Sequence, residues 1–143
     1  HPLIDPKRIV MTGNSGGGVL TAYTAAIDTR IKVAIPSCSF TSVTSKEGFI
    51  FHCDCCLVPK LRNWGDWKEL GGLVAPRHLL IVHGVSDGLH HRPTVDKLGG
   101  QLKNIFKAAG TPNNTELEWG NSGHRFYPSL MWPFIEKALA KKK

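Results

Sequence analysis

Three residues that together could activate a serine for acyl transfer follow one another along this chain. Residues 13–17 (GNSGG) form a Gly-x-Ser-x-Gly sequence around Ser15, and Asp87 and His124 come later, each beside a glycine. A serine hydroxyl is a poor nucleophile at neutral pH unless a base accepts its proton and an acid holds that base in place. The order serine, acid, histidine therefore predicts a catalytic triad of Ser15, Asp87 and His124.

The neighbours of the serine and of the acid are candidates for binding a substrate. The backbone N–H of Gly16, directly after the serine, is predicted to donate to an oxyanion. Asn14 precedes the serine, and His90 and His91 follow shortly after the acid. These three side chains are predicted to shape the substrate pocket.

Other residues compete for the roles of acid and base. His90 and His91 stand beside the acid, and His83 directly ends an apolar run, which favours a structural role for it. Asp96 lies inside a predicted helix and is the weaker candidate for the acid. Alternatives without a catalytic role also stay open: Ser15 in a non-catalytic glycine-rich turn, Asp87 as the cap of a turn, and His124 as an ordinary loop histidine.

The glycine-rich sequence has two further interpretations. It contains neither G-x-G-x-x-G nor G-x-x-x-x-G-K-[ST], so a nucleotide-binding loop is not predicted. A near copy, residues 120–123 (GNSG), contains Ser122, but His124 takes the place of the second glycine and no helix follows at once. Ser122 is therefore interpreted as a loop residue.

Apolar periodicity predicts the elements that must position these residues. Predicted strands cover residues 8–12, 31–37, 78–83 and 115–119, and predicted helices cover residues 19–27, 64–71, 94–109 and 127–139. Gly110 is expected to end the third helix, and Pro133 to interrupt the last helix or to set its start. Strands that alternate with helices form parallel β-α units, so the predicted fold class is α/β, with a parallel sheet of about four strands flanked by helices.

This order of elements gives the Gly-x-Ser-x-Gly sequence its meaning. It lies between a strand and a helix, the setting of a nucleophile elbow, in which the serine is strained and a side chain on either flanking glycine would collide with the strand or the helix. The serine follows the first strand, the aspartate the third and the histidine the fourth. Because active sites of parallel sheets form at the carboxyl ends of strands, the three residues are expected to meet there.

Composition excludes several classes of function. The chain has 143 residues, of which 41% are hydrophobic and 20% charged, as in an ordinary globular domain. The net charge is +7, but three lysines end the chain and the other basic residues are scattered, so no nucleic-acid partner is predicted. No apolar run approaches the roughly 20 residues that span a bilayer, so no membrane partner is predicted, and no signal peptide opens the chain.

Four cysteines suggest reduced thiols rather than a metal site. Three of them lie in residues 52–56 (HCDCC), where no second Cys or His pair follows at the spacing of a zinc site. A disulfide between such near neighbours would be strained. We therefore expect no bound metal and a reducing, cytoplasmic compartment. The irregular segment 38–62 is expected to form part of the substrate pocket or a lid.

The quoted residues resemble acetyl xylan esterase-like and dienelactone hydrolase-like α/β-hydrolases over essentially the whole chain. The resemblance lies in residues 4–9 (IDPKRI), 12–18 (TGNSGGG), 73–77 (LVAPR), 83–87 (HGVSD) and 123–126 (GHRF). It implies hydrolysis of small carboxylic esters, such as acetyl groups on carbohydrate, without a metal or cofactor. Residues 87–91 (DGLHH) depart from the family, which carries an apolar residue and a proline soon after the acid.

The resemblance also implies that the chain is incomplete. A complete family member is roughly twice this long, so residues 1–143 are expected to be a single domain, the carboxyl-terminal half of an α/β-hydrolase without its amino-terminal strands. The second oxyanion amide would then be absent and the first strand would be an edge, so we expect this chain alone to be nearly inactive and to self-associate. A catalytically silent domain, a peptidase and a carbon–carbon hydrolase remain alternatives; the oligomeric state is not predicted.

Overall fold

The computed structural model describes residues 2–47 and 58–140, which form a parallel sheet with helices on both faces. The strands are β1 (Ile9–Asn14), β2 (Ile31–Ser37), β3 (His78–Gly84) and β4 (Thr115–Gly120), and the helices are α1 (Gly16–Ile27), α2 (Trp67–Gly72), α3 (Arg92–Ala108) and α4 (Pro128–Leu139). The strands pair in parallel in the order β1-β2-β3-β4. The α/β fold class and the four-stranded parallel sheet predicted from the sequence are confirmed.

Two apolar layers cover the sheet because side chains alternate between the faces of a strand. On β3, Leu79 and Ile81 contact the layer that includes residues of α1, α2 and α3. Leu80 and Val82, which alternate with them, contact the layer formed with α4. All four β3 side chains are buried, and burying each stabilises the fold by about 1.5–3 kcal/mol.

β1 and β4 are the outer strands of the described sheet. The outer side of β1 borders an apolar groove of about 480 Å³ between the strand and α4, lined by Val10, Met131, Trp132 and Ile135 among others. Trp132 is 61% exposed there. Of the described helices, none is long and apolar enough to cross a membrane.

The first predicted strand and helix have wrong boundaries, since the strand was predicted to end before the glycine cluster and the helix to begin after it. β1 continues through Gly13 to Asn14, and α1 begins at Gly16 instead of residue 19. The glycines adopt ordinary strand and helix conformations, and the chain reverses at Ser15 alone. Glycine was interpreted as a breaker of regular structure, but the surrounding packing overrides that weak local preference.

The boundaries of α2 and α3 also differ from the predicted ones, and local sequence explains them. α2 starts at Trp67 instead of residue 64, because Asp66 and Glu69 form a reciprocal capping box. α3 starts two residues earlier than predicted, with Pro93 in its first turn, where no N–H is needed. Gly110, with φ of 75°, follows its end as expected.

The expected effect of Pro133 on the last helix was wrong. α4 starts at Pro128 and continues through Pro133 to Leu139. Proline removes one intrahelical hydrogen bond, but Met131 and Phe134, on either side of it, are buried against the sheet. Packing of these side chains keeps the helix continuous.

The segment predicted as a pocket wall or lid divides into different parts. Residues 38–42 are buried, and Phe40 belongs to the core, so this part is not a lid. Residues 48–57, which include the HCDCC cluster, lie outside the described residues. The last part is exposed and forms one 3₁₀ turn at Leu61–Asn63.

Candidate active site

Ser15 occupies a sharp, strained turn between β1 and α1. Its backbone has φ of 56° and ψ of −121°, a conformation that a residue with a side chain rarely adopts. The Ser15 N–H donates to the Ser37 carbonyl at 2.9 Å, which ties the turn to the end of β2. The Ser15 side chain does not cap α1, so it leaves the first-turn amides, among them Gly16, to an anion at this end of the helix.

Close packing around the turn requires two glycines, and only one of them was predicted. A Cβ at Gly13 would collide with the backbone of Gly17, as the motif implied. At Gly18 a Cβ would collide with the Ser39 side chain and the Ser37 carbonyl. Gly17, the second motif glycine, has no described atom within 4 Å of a built Cβ, so the expected collision there is absent from this part of the structure.

The two motif glycines should therefore respond differently to alanine. We expect Gly13→Ala to lower the free energy of unfolding by about 1–3 kcal/mol, because the backbone of α1 must move to admit the methyl group. We expect Gly17→Ala to leave it unchanged or to raise it by up to about 1 kcal/mol, because alanine is the better helix former. Urea unfolding of both variants measures the difference, and equal destabilisation would show that Gly17 is also confined.

Asn14, predicted to bind substrate, is engaged in a bond between strands. Its Oδ1 accepts a hydrogen bond from the Ser37 hydroxyl at 2.9 Å. Together with the bond from the Ser15 amide to Ser37, this contact fixes both residues of the turn to the carboxyl end of β2. Ser37 therefore orients the elbow, a role that no sequence pattern indicated.

The predicted acid and base meet at the same end of the sheet. Asp87 lies in the loop after β3 and His124 in the loop after β4, and His124 Nδ1 is 2.8 Å from Asp87 Oδ2. The Asp87 side chain is fully buried, whereas that of His124 is 28% exposed. An acid that binds Nδ1 leaves Nε2 of the imidazole free to act as a base.

Asp87 stays ionised in this buried position because its neighbours donate to it. Burial by itself raises the pKa of the carboxyl group, but the Leu89 amide, which donates to Oδ1 at 3.1 Å, and the imidazole of His124 lower it, as does the nearby His90. The balance holds the pKa of Asp87 below its usual value. The acid is therefore a carboxylate at neutral pH and can stabilise a protonated His124.

Residues that the sequence analysis missed bring the histidine loop onto the aspartate. A Cβ at Gly84 would collide with the carbonyls of Ser122 and Gly123, so the loop that carries His124 can cross the end of β3 only because this residue is glycine. Tyr127 donates its hydroxyl hydrogen to the Gly123 carbonyl at 2.6 Å and holds the loop there. The glycine that directly follows the predicted strand 78–83, and that ends β3 in the structure, was the available signal for this close approach.

The two other histidines near the acid have different surroundings. His90 was predicted to shape the substrate pocket, but its side chain is fully buried next to Asp87 and does not reach the surface. His91 is exposed at the start of α3, and its Nδ1 is 2.9 Å from the Thr94 hydroxyl. His83 is completely buried, and burial lowers the pKa of its imidazole to about 3, in keeping with a structural role.

The three candidates thus lie after the carboxyl ends of parallel strands: Ser15 after β1, Asp87 after β3 and His124 after β4. Among the described contacts, the Ser15 hydroxyl makes no hydrogen bond to His124. Such bonds are often long in enzymes without substrate and tighten in the reactive complex. The structure therefore places a preformed Asp87–His124 pair and the strained Ser15 at the same, carboxyl-terminal end of the sheet.

Within residues 2–47 and 58–140, two groups of side chains carry atoms suited to a metal ion. Ligand atoms of Asp87, His90 and His124 lie within 4.8 Å of one another, as do those of Cys38, His83 and Asp87. In the first group His124 Nδ1 is bonded to Asp87, and His90 Nε2 to the Cys38 carbonyl at 3.0 Å. A metal would have to displace both hydrogen bonds, so this geometry favours an acid–base pair.

Comparisons with known proteins agree with this architecture. No protein-family model matches the chain. The curated protein "Putative hydrolase YtaP" of Bacillus subtilis (strain 168) is 32% identical over 129 residues, which are 85% of this chain and 42% of that protein. The chain thus spans less than half the length of this relative.

Solved structures share the fold of the chain. A carbohydrate esterase family 15 glucuronoyl esterase from Caldicellulosiruptor kristjansonii superposes with a TM-score of 0.82 at 19% identity, over 97% of this chain and 45% of that one. Methylesterase BT1017 superposes with a TM-score of 0.74 at 25% identity, over 94% of this chain and 30% of that one. The parallel sheet, the serine turn and these likenesses establish that this chain has the α/β-hydrolase fold.

Proposed function

We propose that this chain carries the catalytic triad of a serine carboxylesterase, with Ser15 as nucleophile, His124 as base and Asp87 as acid. The observation that carries the proposal is the 2.8 Å contact between Asp87 Oδ2 and His124 Nδ1, at the sheet edge where β1 presents the strained Ser15. The pairing joins residues 37 positions apart, in the arrangement that serine hydrolases require.

The proposed reaction transfers an acyl group to water. His124 Nε2 accepts the Ser15 proton as the Ser15 oxygen attacks the ester carbonyl, and the Gly16 amide donates to the developing oxyanion. The tetrahedral intermediate expels the alcohol, which takes the proton from His124. Water, deprotonated by His124, then attacks the acyl-serine. The carboxylic acid product leaves, and His124 returns the proton to the Ser15 oxygen. Asp87 stabilises the imidazolium in both halves.

The proposed substrates are small carboxylic esters attached to carbohydrate. The solved structures that share the fold are named as glucuronoyl esterases and a methylesterase, and the curated relative is named as a hydrolase. The sequence resemblance implies acetyl esters of carbohydrate. The His124 side chain is 28% exposed, which leaves the base open to a substrate that arrives from solvent.

A fluorophosphonate probe tests the nucleophile directly, since it phosphonylates a serine that a histidine activates. We expect the complete gene product to be labelled once, on the peptide that contains Ser15. Turnover is then measured on four substrates: an aryl acetate, an acetylated xyloside, methyl glucuronate and a peptide amide. We expect hydrolysis of the esters and none of the amide. Hydrolysis of the amide would favour a peptidase on the same triad.

A catalytically silent hydrolase-like domain is the second candidate. The observation that favours it is that, among the described contacts, the Ser15 hydroxyl makes no hydrogen bond to His124, which is bonded to Asp87. If the probe leaves Ser15 unlabelled while the protein is folded, the silent domain is the better interpretation.

A further inference from the structure

The carboxylate of Asp87 lies close to two histidines, of which the proposed triad uses one. His124 Nδ1 is 2.8 Å from Asp87 Oδ2, and His90 Nε2 lies 3.8 Å from the same oxygen. The His90 and Asp87 side chains are both fully buried. The imidazole rings of His90 and His124 are nearly parallel, with 20° between their planes and 6.2 Å between their centres.

The partner of His90 settles which of its nitrogens carries hydrogen. Nε2 is 3.0 Å from the Cys38 carbonyl oxygen, and a carbonyl can only accept, so Nε2 must donate. The same Nε2 lies 3.8 Å from Asp87 Oδ2, so the donor nitrogen of the ring is near the carboxylate. Its partial positive charge attracts Oδ2, in agreement with the lowering of the Asp87 pKa by His90, and opposes rotation of the carboxylate out of this position.

The Cys38 carbonyl to which His90 bonds is itself well fixed. Cys38 directly follows β2, has φ of 48°, and its N–H donates to the Val82 carbonyl at 2.8 Å. Its thiol lies 3.4 Å from the Arg125 carbonyl, in the loop that carries His124. Contacts with β3 and with the histidine loop therefore fix Cys38, and the Cys38 carbonyl in turn fixes His90 Nε2.

Within the part of the chain that the structure describes, the ionisable groups close to His90 include Asp87, His124, His83 and the Cys38 thiol. The His83 ring packs edge-on against His90 with 4.5 Å between centres and is neutral, because burial lowers its pKa to about 3. Burial also raises the pKa of the Cys38 thiol, which keeps it neutral. Asp87 is therefore the charged group that His90 faces on this side of the site.

We propose that His90 is a positioning residue that fixes the Asp87 carboxylate so that it bonds His124 in the orientation needed for catalysis. This inference rests on the proposed esterase function. It assigns His90 to the buried support of the acid instead of to the substrate pocket. It also gives a role to residues 87–91 (DGLHH), where the chain departs from the family pattern.

Substitution of His90 by leucine and by glutamine tests the proposal in the complete gene product. His90→Leu removes the donor, and we expect kcat to fall on the order of 10²-fold, because small misplacement of a catalytic group has effects of this size. KM should change by less than about threefold. His90→Gln can place an amide N–H near the position of Nε2, so it should restore kcat to within about tenfold of the parent.

A proton NMR signal provides a readout that needs no turnover. The His124 Nδ1 proton, bonded to a carboxylate, should resonate far downfield in the parent. It should broaden or disappear in His90→Leu and return in His90→Gln. His78→Gln is the control, because His78 lies at the opposite end of β3 against Phe134, and it should change neither the signal nor kcat.

The outcomes separate this inference from the proposed function. A parent that hydrolyses esters, with a His90→Leu variant that keeps its kcat and its NMR signal, would overturn the inference alone. A parent without esterase activity or probe labelling overturns the function, and the NMR signal then still tests the support of Asp87. Equal loss of activity and thermal stability in the leucine and glutamine variants would show a purely structural role.

If His90→Leu does not fold, His90→Asn replaces it. Asparagine is one carbon shorter than glutamine and does not reach the Cys38 carbonyl, so the same loss of kcat and of the downfield signal is expected. Asparagine and glutamine variants with the same kcat would overturn the inference.

Discussion

Ser15→Ala is expected to lower the esterase kcat of the complete gene product by about 10⁴- to 10⁶-fold, the range seen when the nucleophile of a triad is removed. The alanine variant keeps the oxyanion donor and the Asp87–His124 pair, but it cannot form an acyl-enzyme. Its fold should be retained, because the Ser15 contact with Ser37 is made by the backbone. Initial rates on an aryl acetate, with circular dichroism as the check on folding, measure the loss.

Ser122→Ala is the matched control for this substitution. Ser122 lies in the near-copy sequence after β4, and only Ser15 of the two has a positive φ. The Ser122 carbonyl accepts from the Ser86 amide at 3.0 Å, a bond that alanine keeps. Activity close to that of the parent is therefore expected. The opposite pattern, loss in Ser122→Ala and retention in Ser15→Ala, would move the nucleophile to the loop after β4.

Asp87→Asn should cost about 10⁴-fold in kcat with little change in the fold. An asparagine that donates to His124 Nδ1 forces the ring proton onto Nε2, so the imidazole can no longer accept the serine proton. It also removes the negative charge that stabilises the imidazolium. Because the pKa of Asp87 is held below its usual value, the parent should keep this charge throughout the neutral range.

The control for the acid is Asp96→Asn. Asp96 lies in α3 and accepts a hydrogen bond from the Trp119 indole at 2.9 Å, on the exposed side of the helix. Its loss should leave kcat within about threefold of the parent, since it contacts neither Asp87 nor His124 among the described contacts. Rates and fluorophosphonate labelling of both variants are measured together. An Asp96→Asn loss as large as that of Asp87→Asn would reassign the acid.

Local pattern was sufficient to predict the layout of this protein. The alternation of apolar strands and helices predicted the parallel sheet, since the spacing of buried side chains follows directly from the geometry of each element. The strand, glycine and helix around Ser15 predicted the strained turn. The order of Ser15, Asp87 and His124 along the chain predicted that they end β1, β3 and β4, because parallel strands place their carboxyl ends at one edge.

The boundaries of helices and strands at glycine and proline were predicted less well, because local preference was given too much weight against packing. Residues 16–18 are glycines that the structure places in a helix, and Pro133 lies within α4. Intrinsic preference contributes only about 1 kcal/mol per glycine. Burial of neighbouring side chains such as Val19 and Phe134 outweighs that preference, and burial depends on what the rest of the chain brings against the element.

The sequence by itself determined the fold class, which strand each of the three catalytic candidates follows, and the strained position of Ser15. Only the tertiary structure decided that His90 lies buried behind Asp87, while the adjacent His91 is exposed at a helix start. It also decided that Gly84 admits the loop that carries His124. These facts depend on contacts between residues far apart in the chain, and periodicity describes only the direction of a side chain from its own strand or helix.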